Sequence, residues 1–131
     1  MVTEKTTVKK AYIAMHDFLY DNYYKDYPEG EAKDTMIFMI GDMDFAADGF
    51  SYDPMCWDEW KIICDGNGNK EISYEVAYYA MLVFLYFFIE PWPNGEEKQA
   101  IVDAIVSLRR NKKENEKKYF SYLNKEINNK S

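Results

Sequence analysis

Histidine is almost missing from this sequence, with one residue in 131, and cysteine is scarce, with two. Those shortages leave little room for zinc sites or activated nucleophiles, which need several Cys or His side chains, or a base beside the nucleophile. The two cysteines, Cys56 and Cys64, fit a reducing compartment. Eight residues apart on one helix, their Cα atoms stand about 12 Å apart, beyond disulfide reach. Basic residues are also outnumbered, 16 Lys and Arg against 23 Asp and Glu, for a net charge of −7. Nucleic-acid binding needs a basic face, so the charge argues against it. No apolar stretch marks a signal peptide in the N-terminal MVTEKTTVKK. The longest apolar run, Val76 to Ile89, has 14 residues, and a membrane span needs about 20. The expectation is a cytoplasmic protein that meets neither membrane nor nucleic acid.

What is present is apolar and aromatic. The hydrophobic share is 47%, with 12 Tyr, 8 Phe and 3 Trp. A chain of this length forms one domain, residues 1–131, and folds without disulfide, metal or cofactor. The apolar residues recur at helical spacing. Val8, Ala11, Tyr12, Met15, Phe18, Leu19 and Tyr23 predict a helix over 6–25, ended by Tyr27-Pro28-Glu29-Gly30. A second helix covers 31–40, with Gly41 as its left-handed C-terminal residue. Residues 42–53 read as a loop. Asp53 caps a third helix over 54–64 and Pro54 opens it. Trp57 and Trp60 share one face of that helix. Ser73 caps a fourth, 74–90, apolar on every side and so expected at the centre of the bundle. Glu90-Pro91-Trp92-Pro93 stops it. Asn94 and Glu97 form a variant capping box for the last helix, which carries Ile101, Ala104, Ile105 and Leu108 and later Tyr119, Leu123 and Ile127. It is either continuous or broken near 111. Strand signals are poor, so the fold class is all-α: a compact bundle of about five helices around 74–90.

Residues 11–20 match residues 77–86 at seven of ten positions, A-Y-x-A-M-x-x-F-L-Y, at an offset of 66. Two copies are too few for a solenoid. Either two halves arose by duplication, or two helices pack as pseudo-symmetric partners, or similar core helices converged on the same residue types.

Three chemical candidates fail on spacing. Asp65-Gly-Asn-Gly-Asn-Lys-Glu is similar to a calcium loop, but starting at Asp65 puts Lys70 at the glycine position and Val76 where the bidentate acid belongs. Placing Gly68 at the glycine position puts Tyr74 there instead. His16 has no second ligand nearby, and Asp17 is expected to point away from it. The carboxylates at 42, 44, 48, 53, 58 and 59 have no spacing specific to metal or glycoside chemistry. No catalytic or metal-binding residue is assigned.

Charge distribution is more informative. Residues 16–65 hold 13 acids and 3 bases, whereas 107–131 hold 8 bases and 3 acids. An acidic surface bearing aromatics suits a basic protein partner, because aromatic side chains anchor interfaces and charge steers association. The candidate partner-binding residues are Asp42, Asp44, Asp48, Tyr52, Asp58 and Glu59.

The order AYxAMxxFL (from Ala11), GDM (from Gly41), Asp48-Gly49 and DPxxWxxW (from Asp53) resembles small immunity proteins of bacterial contact-dependent growth inhibition and related polymorphic-toxin systems. The likeness covers roughly residues 8–64. It implies a helical protein that does no chemistry and blocks the active site of a cognate toxin domain, a nuclease with a basic cleft being the expected target. The alternatives are a helical adaptor with an unrelated protein partner and a divalent-metal-dependent protein.

Overall fold

Six α-helices and one pair of very short strands make up the described part of the chain, which in this computed structural model is residues 4–43, 54–89 and 98–128. In chain order these are β1 (Lys5–Thr7), α1 (Val8–Leu19), a π-helical turn (Tyr20–Tyr24), α2 (Glu31–Met43), α3 (Pro54–Cys64), β2 (Glu71–Ser73), α4 (Tyr74–Ile89), α5 (Gln99–Arg110) and α6 (Lys112–Asn128). The all-α expectation holds, and α3 runs over the residues read from the sequence. The two strands were not anticipated. At three residues each they are too short for alternation to register, and they exist because they pair with each other.

Two turns differ from expectation. Gly41 is not a left-handed terminator: α2 continues through it to Met43, so Asp42 is helical rather than part of a loop. The left-handed residue at the end of α3 is Asp65, at φ 54°, in a Schellman closure. Its N–H donates to Ile62 O at 3.1 Å, and that of Gly66 donates to Lys61 O at 3.0 Å. The last helix breaks as one of its two readings had it. Asn111 leaves helical geometry, and the buried Asn115 donates its side-chain amide to Ser107 O at 3.0 Å, sealing the end of α5. The Asp53 cap and the Asn94–Glu97 box lie outside the described residues, as do Glu90 and the Pro91–Pro93 stop.

The repeat at offset 66 extends beyond its ten matching residues. β1 and β2 stand 66 positions apart, and they pair antiparallel with Thr6 opposite Ile72, its own counterpart. Val8 N–H donates to Lys70 O at 2.9 Å, and its counterpart Tyr74 N–H donates to Glu4 O at 3.1 Å. Thr7 Oγ1 accepts from Lys10 N–H at 3.2 Å, and Ser73 Oγ accepts from Val76 N–H at 3.1 Å, so both helices are capped by the same device. The α2 and α5 helices follow at nearly the same offset and pack on each other. Each half is a strand followed by three helices, and a pseudo-two-fold axis runs through the Thr6–Ile72 pair. The first helix of each half packs against the last helix of the other, α1 on α6 and α4 on α3.

One core joins all six helices. The matching positions Ala11 and Ala77, Tyr12 and Tyr78, Ala14 and Ala80, Met15 and Met81, Phe18 and Phe84, and Leu19 and Leu85 are all buried. Aromatic contacts close it: Phe84 meets Trp60 edge-to-face at 5.8 Å and Tyr12 at 6.0 Å, while Phe18 meets Tyr119 at 5.6 Å. The expectation that 74–90 is enclosed on every side does not hold. One face of α4 carries Val76, Tyr79, Val83, Tyr86 and Phe87 into solvent. Among the described residues no helix is long and apolar enough to cross a membrane.

Candidate partner-binding surface

Helix α3 is held rigidly from one side. Trp60 is fully buried, its indole N–H donates to Val8 O at 2.8 Å, and Cys56 and Cys64 bury beside it, one turn to either side. The two cysteines form no disulfide, and burial pushes the Cys64 thiol up to about 12, so it stays protonated and unreactive. Trp57 is half-buried, edge-to-face with Tyr12 at 5.2 Å.

At 100° per residue, the positions of α3 opposite Trp60 are 55, 58 and 62, and position 65 follows just past the helix end. They carry Met55, Asp58, Ile62 and Asp65, with Met55 68% and Ile62 71% exposed. Asp58 and Asp65 are exposed too. The stripe alternates apolar and acidic side chains and borders a shallow groove of about 580 Å³ lined by Asp58, Lys61, Ile62, Asp65, Gly66 and Asn67. Lys61 is the cation within it, 3.4 Å from Asp58 and stacked over Trp57 at 5.5 Å.

Of the six residues singled out from the sequence, Asp58 and Glu59 share this helix, Asp58 exposed and Glu59 half-buried. Asp42 is half-buried on the last turn of α2, a different element. Asp44, Asp48 and Tyr52 lie outside the described residues. Met55, Ile62 and Asp65 were missed, although the wheel that turned Trp60 inward also turned Met55 and Ile62 outward.

The loop that follows is used structurally. Its carbonyls at Gly68 and Lys70 accept the first two N–H groups of α1, and the Lys70 ammonium donates to Asp65 O at 2.6 Å at the C-terminal end of α3. A lysine head therefore takes the backbone oxygens at that end of the loop. The loop packs closely at Gly68, where a Cβ would rest against Lys9 Cβ and Trp57 Cζ2, each at 3.4 Å.

His16 differs from expectation: Asp17 turns toward it, with Nδ1 and Oδ1 2.9 Å apart. They border a pocket of about 290 Å³ with Tyr20, Asp21, Tyr122 and Lys125. The Tyr122 hydroxyl donates to Asp21 at 2.7 Å, and burial and that carboxylate push the phenol up to about 12. A phenol so bound is no base near neutrality, and the network ties α6 to the end of α1. Among the described residues no three His, Cys, Asp or Glu side chains gather as a metal-binding group.

No family model matches the chain, and neither a curated protein nor a solved structure does.

Proposed function

We propose that this chain is a cytoplasmic immunity protein, which binds the toxin domain of a contact-dependent growth inhibition or related polymorphic-toxin system and occludes its active site. The observation that carries the reading is the outward stripe of α3, where exposed Met55 and Ile62 flank exposed Asp58 on a helix anchored by Trp60, with exposed Asp65 just past its end. Isolated exposed apolar residues need no explanation, but two at this exposure on one rigid face, set among acids, suit a protein partner with a basic surface. A nuclease cleft built for phosphates presents such a surface, and carboxylates on a rigid helix can take the places of phosphates there. On this reading the protein does no chemistry and needs no cofactor or metal. Glu59 belongs to the same interface, and Asp42, Asp44, Asp48 and Tyr52 are assigned to partner binding from the sequence as well.

On this reading a large secreted protein is expected to be encoded immediately upstream, and the experiment measures binding to the C-terminal domain of that gene product. Association should slow as salt rises, because exposed charges beyond a Debye length are screened. Reversing Asp58, Glu59 and Asp65 to Lys should weaken binding about a hundredfold or more while circular dichroism stays unchanged. Met55→Ala with Ile62→Ala should weaken it with little change in salt dependence. A folded triple reversal that still neutralises the toxin would sink the proposal.

A further inference from the structure

The exposed face of α4 is the largest apolar surface that the fold leaves uncovered among the described residues. Val76, Tyr79, Val83, Tyr86 and Phe87 are each 36–52% exposed, and Val106 of α5 continues them. Together they present on the order of 500 Å², within the range at which a patch on a monomer is often functional.

The pseudo-symmetry supplies an internal control. The matching positions in the first half are Lys10, Ile13 and Asp17 of α1 and Tyr20 and Asp21 of the π-helical turn that follows it. The α-helical backbone that the two halves share thus accepts Lys10 and Asp17 where α4 carries Val76 and Val83. Folding does not demand an apolar face here.

The rim of the face is charged and ordered. Arg109 donates to the Tyr86 hydroxyl at 2.9 Å, and Lys112 donates to the Tyr79 hydroxyl at 2.6 Å with its ammonium 4.7 Å from that ring. A depression lined by Val106, Arg109 and Arg110 lies beside them. Glu75 stands exposed at the opposite, N-terminal end of α4.

We propose that this face joins two copies of the chain about a two-fold axis, with the α4 helices antiparallel. An isologous contact must be complementary to itself, and this stripe is. Centred between Tyr79 and Val83, it sets each Val83 against Tyr79 of the other copy and each Val76 against Tyr86, small against large. Glu75 of one copy then falls beside Arg109 of the other, because Glu75 and Tyr86 are about 16 Å apart along the helix and antiparallel packing superposes the two ends. Two such patches bury on the order of 1,000 Å² before the charged rim is counted, which reaches the lower bound for a specific interface. The basic rim is unsuited to the basic toxin partner proposed above. The dimer leaves α3 open and does not depend on that function.

The test is sedimentation of the full chain across micromolar concentrations. The wild type should dimerise. Val83→Asp with Phe87→Asp, the residues that the first half carries at the matching positions, should be monomeric with an unchanged circular dichroism spectrum. Glu75→Arg or Arg109→Glu alone should raise the dimer dissociation constant about tenfold, and the two together should restore it. This charge exchange decides the matter if the double aspartate variant fails to fold. A wild type that stays monomeric overturns the proposal, as does a dimer indifferent to all these changes. A monomer whose toxin binding is lost with Val83→Asp also overturns it and gives the face to the toxin instead.

Discussion

Helices α1 and α4 begin alike, with the same cap, the same strand pairing and the same buried A-Y-x-A-M-x-x-F-L pattern. They meet solvent differently. Turned toward water, α1 and its π-helical turn carry Lys10, Asp17 and Asp21, whereas α4 carries Val76, Val83 and Phe87. The halves differ in charge as well: residues 1–66 hold 14 acids and 6 bases, residues 67–131 nine and ten. The buried side of each helix is constrained by packing and kept in common. The outer sides have no shared constraint, so each half has taken on its own surface chemistry, acidic on the first and apolar with a basic rim on the second. A repeat in the core therefore speaks of the fold, and the departures from it outside speak of function.

The strongest way to break the comparison is through the shared core. Phe18 and Phe84 are matching, fully buried rings, each held by aromatic edges. Phe18→Ala and Phe84→Ala should each cost about 3–5 kcal/mol in urea unfolding, with similar values for the pair. A loss under about 1 kcal/mol at either site would mean that the ring is not in the core and that the two halves are not equivalent.

A smaller effect separates the halves by pH. Tyr119 of α6 is buried and donates to Ala11 O at 2.9 Å, tying the second half to the first. Desolvation holds its phenol well above the usual 10. The unfolded tyrosine releases its proton near pH 10 and the folded one keeps it, so the native state binds more protons on the alkaline side. The contribution of this group is complete below pH 10 and is lost as pH rises toward its folded value, and Tyr122, pushed up to about 12, adds to the same trend. Tyr119→Phe should cost about 1 kcal/mol at neutral pH for the lost hydrogen bond. Above pH 10 its stability should fall less steeply than that of the wild type. Equal slopes in urea midpoint against pH would show that Tyr119 ionises freely.

Much of this architecture was legible from periodicity. The third helix, the core stripes and the Ser73 cap follow from spacing and cap chemistry, because each depends on neighbours within one or two turns. The strands were not legible, since three residues acquire strand character only from a partner 66 positions away. Gly41 misled because glycine at the end of an apolar run usually terminates a helix, whereas here α2 simply continues through it. For the surface, Asp58 could be placed outward from the tryptophan spacing. Met55 and Ile62 could not be told from core residues by type, and only their angle from Trp60 distinguishes them. The apolar face of α4 misled for the same reason: hydrophobicity marks contact, and the sequence does not say whether the contact is with the core or with another molecule.

The subtlest test lies on the pseudo-symmetry axis itself. Thr6 faces Ile72, its counterpart at offset 66, so one structural position is occupied once by a β-branched alcohol and once by a β-branched alkane. Both side chains are buried. Among the described residues the Thr6 hydroxyl has no hydrogen-bond partner, which leaves a polar group desolvated without compensation. Ile72 shows that the opposite strand is stable with hydrocarbon at this place. Thr6→Val keeps the branching and nearly the volume and removes the stranded oxygen, so it should stabilise the protein by about 1 kcal/mol. The readout is the urea midpoint at constant slope, which separates a change in stability from a change in the unfolded state. If the midpoint falls instead, the hydroxyl is doing something in solution that its apolar counterpart does not, and the two strands are not interchangeable at their centre.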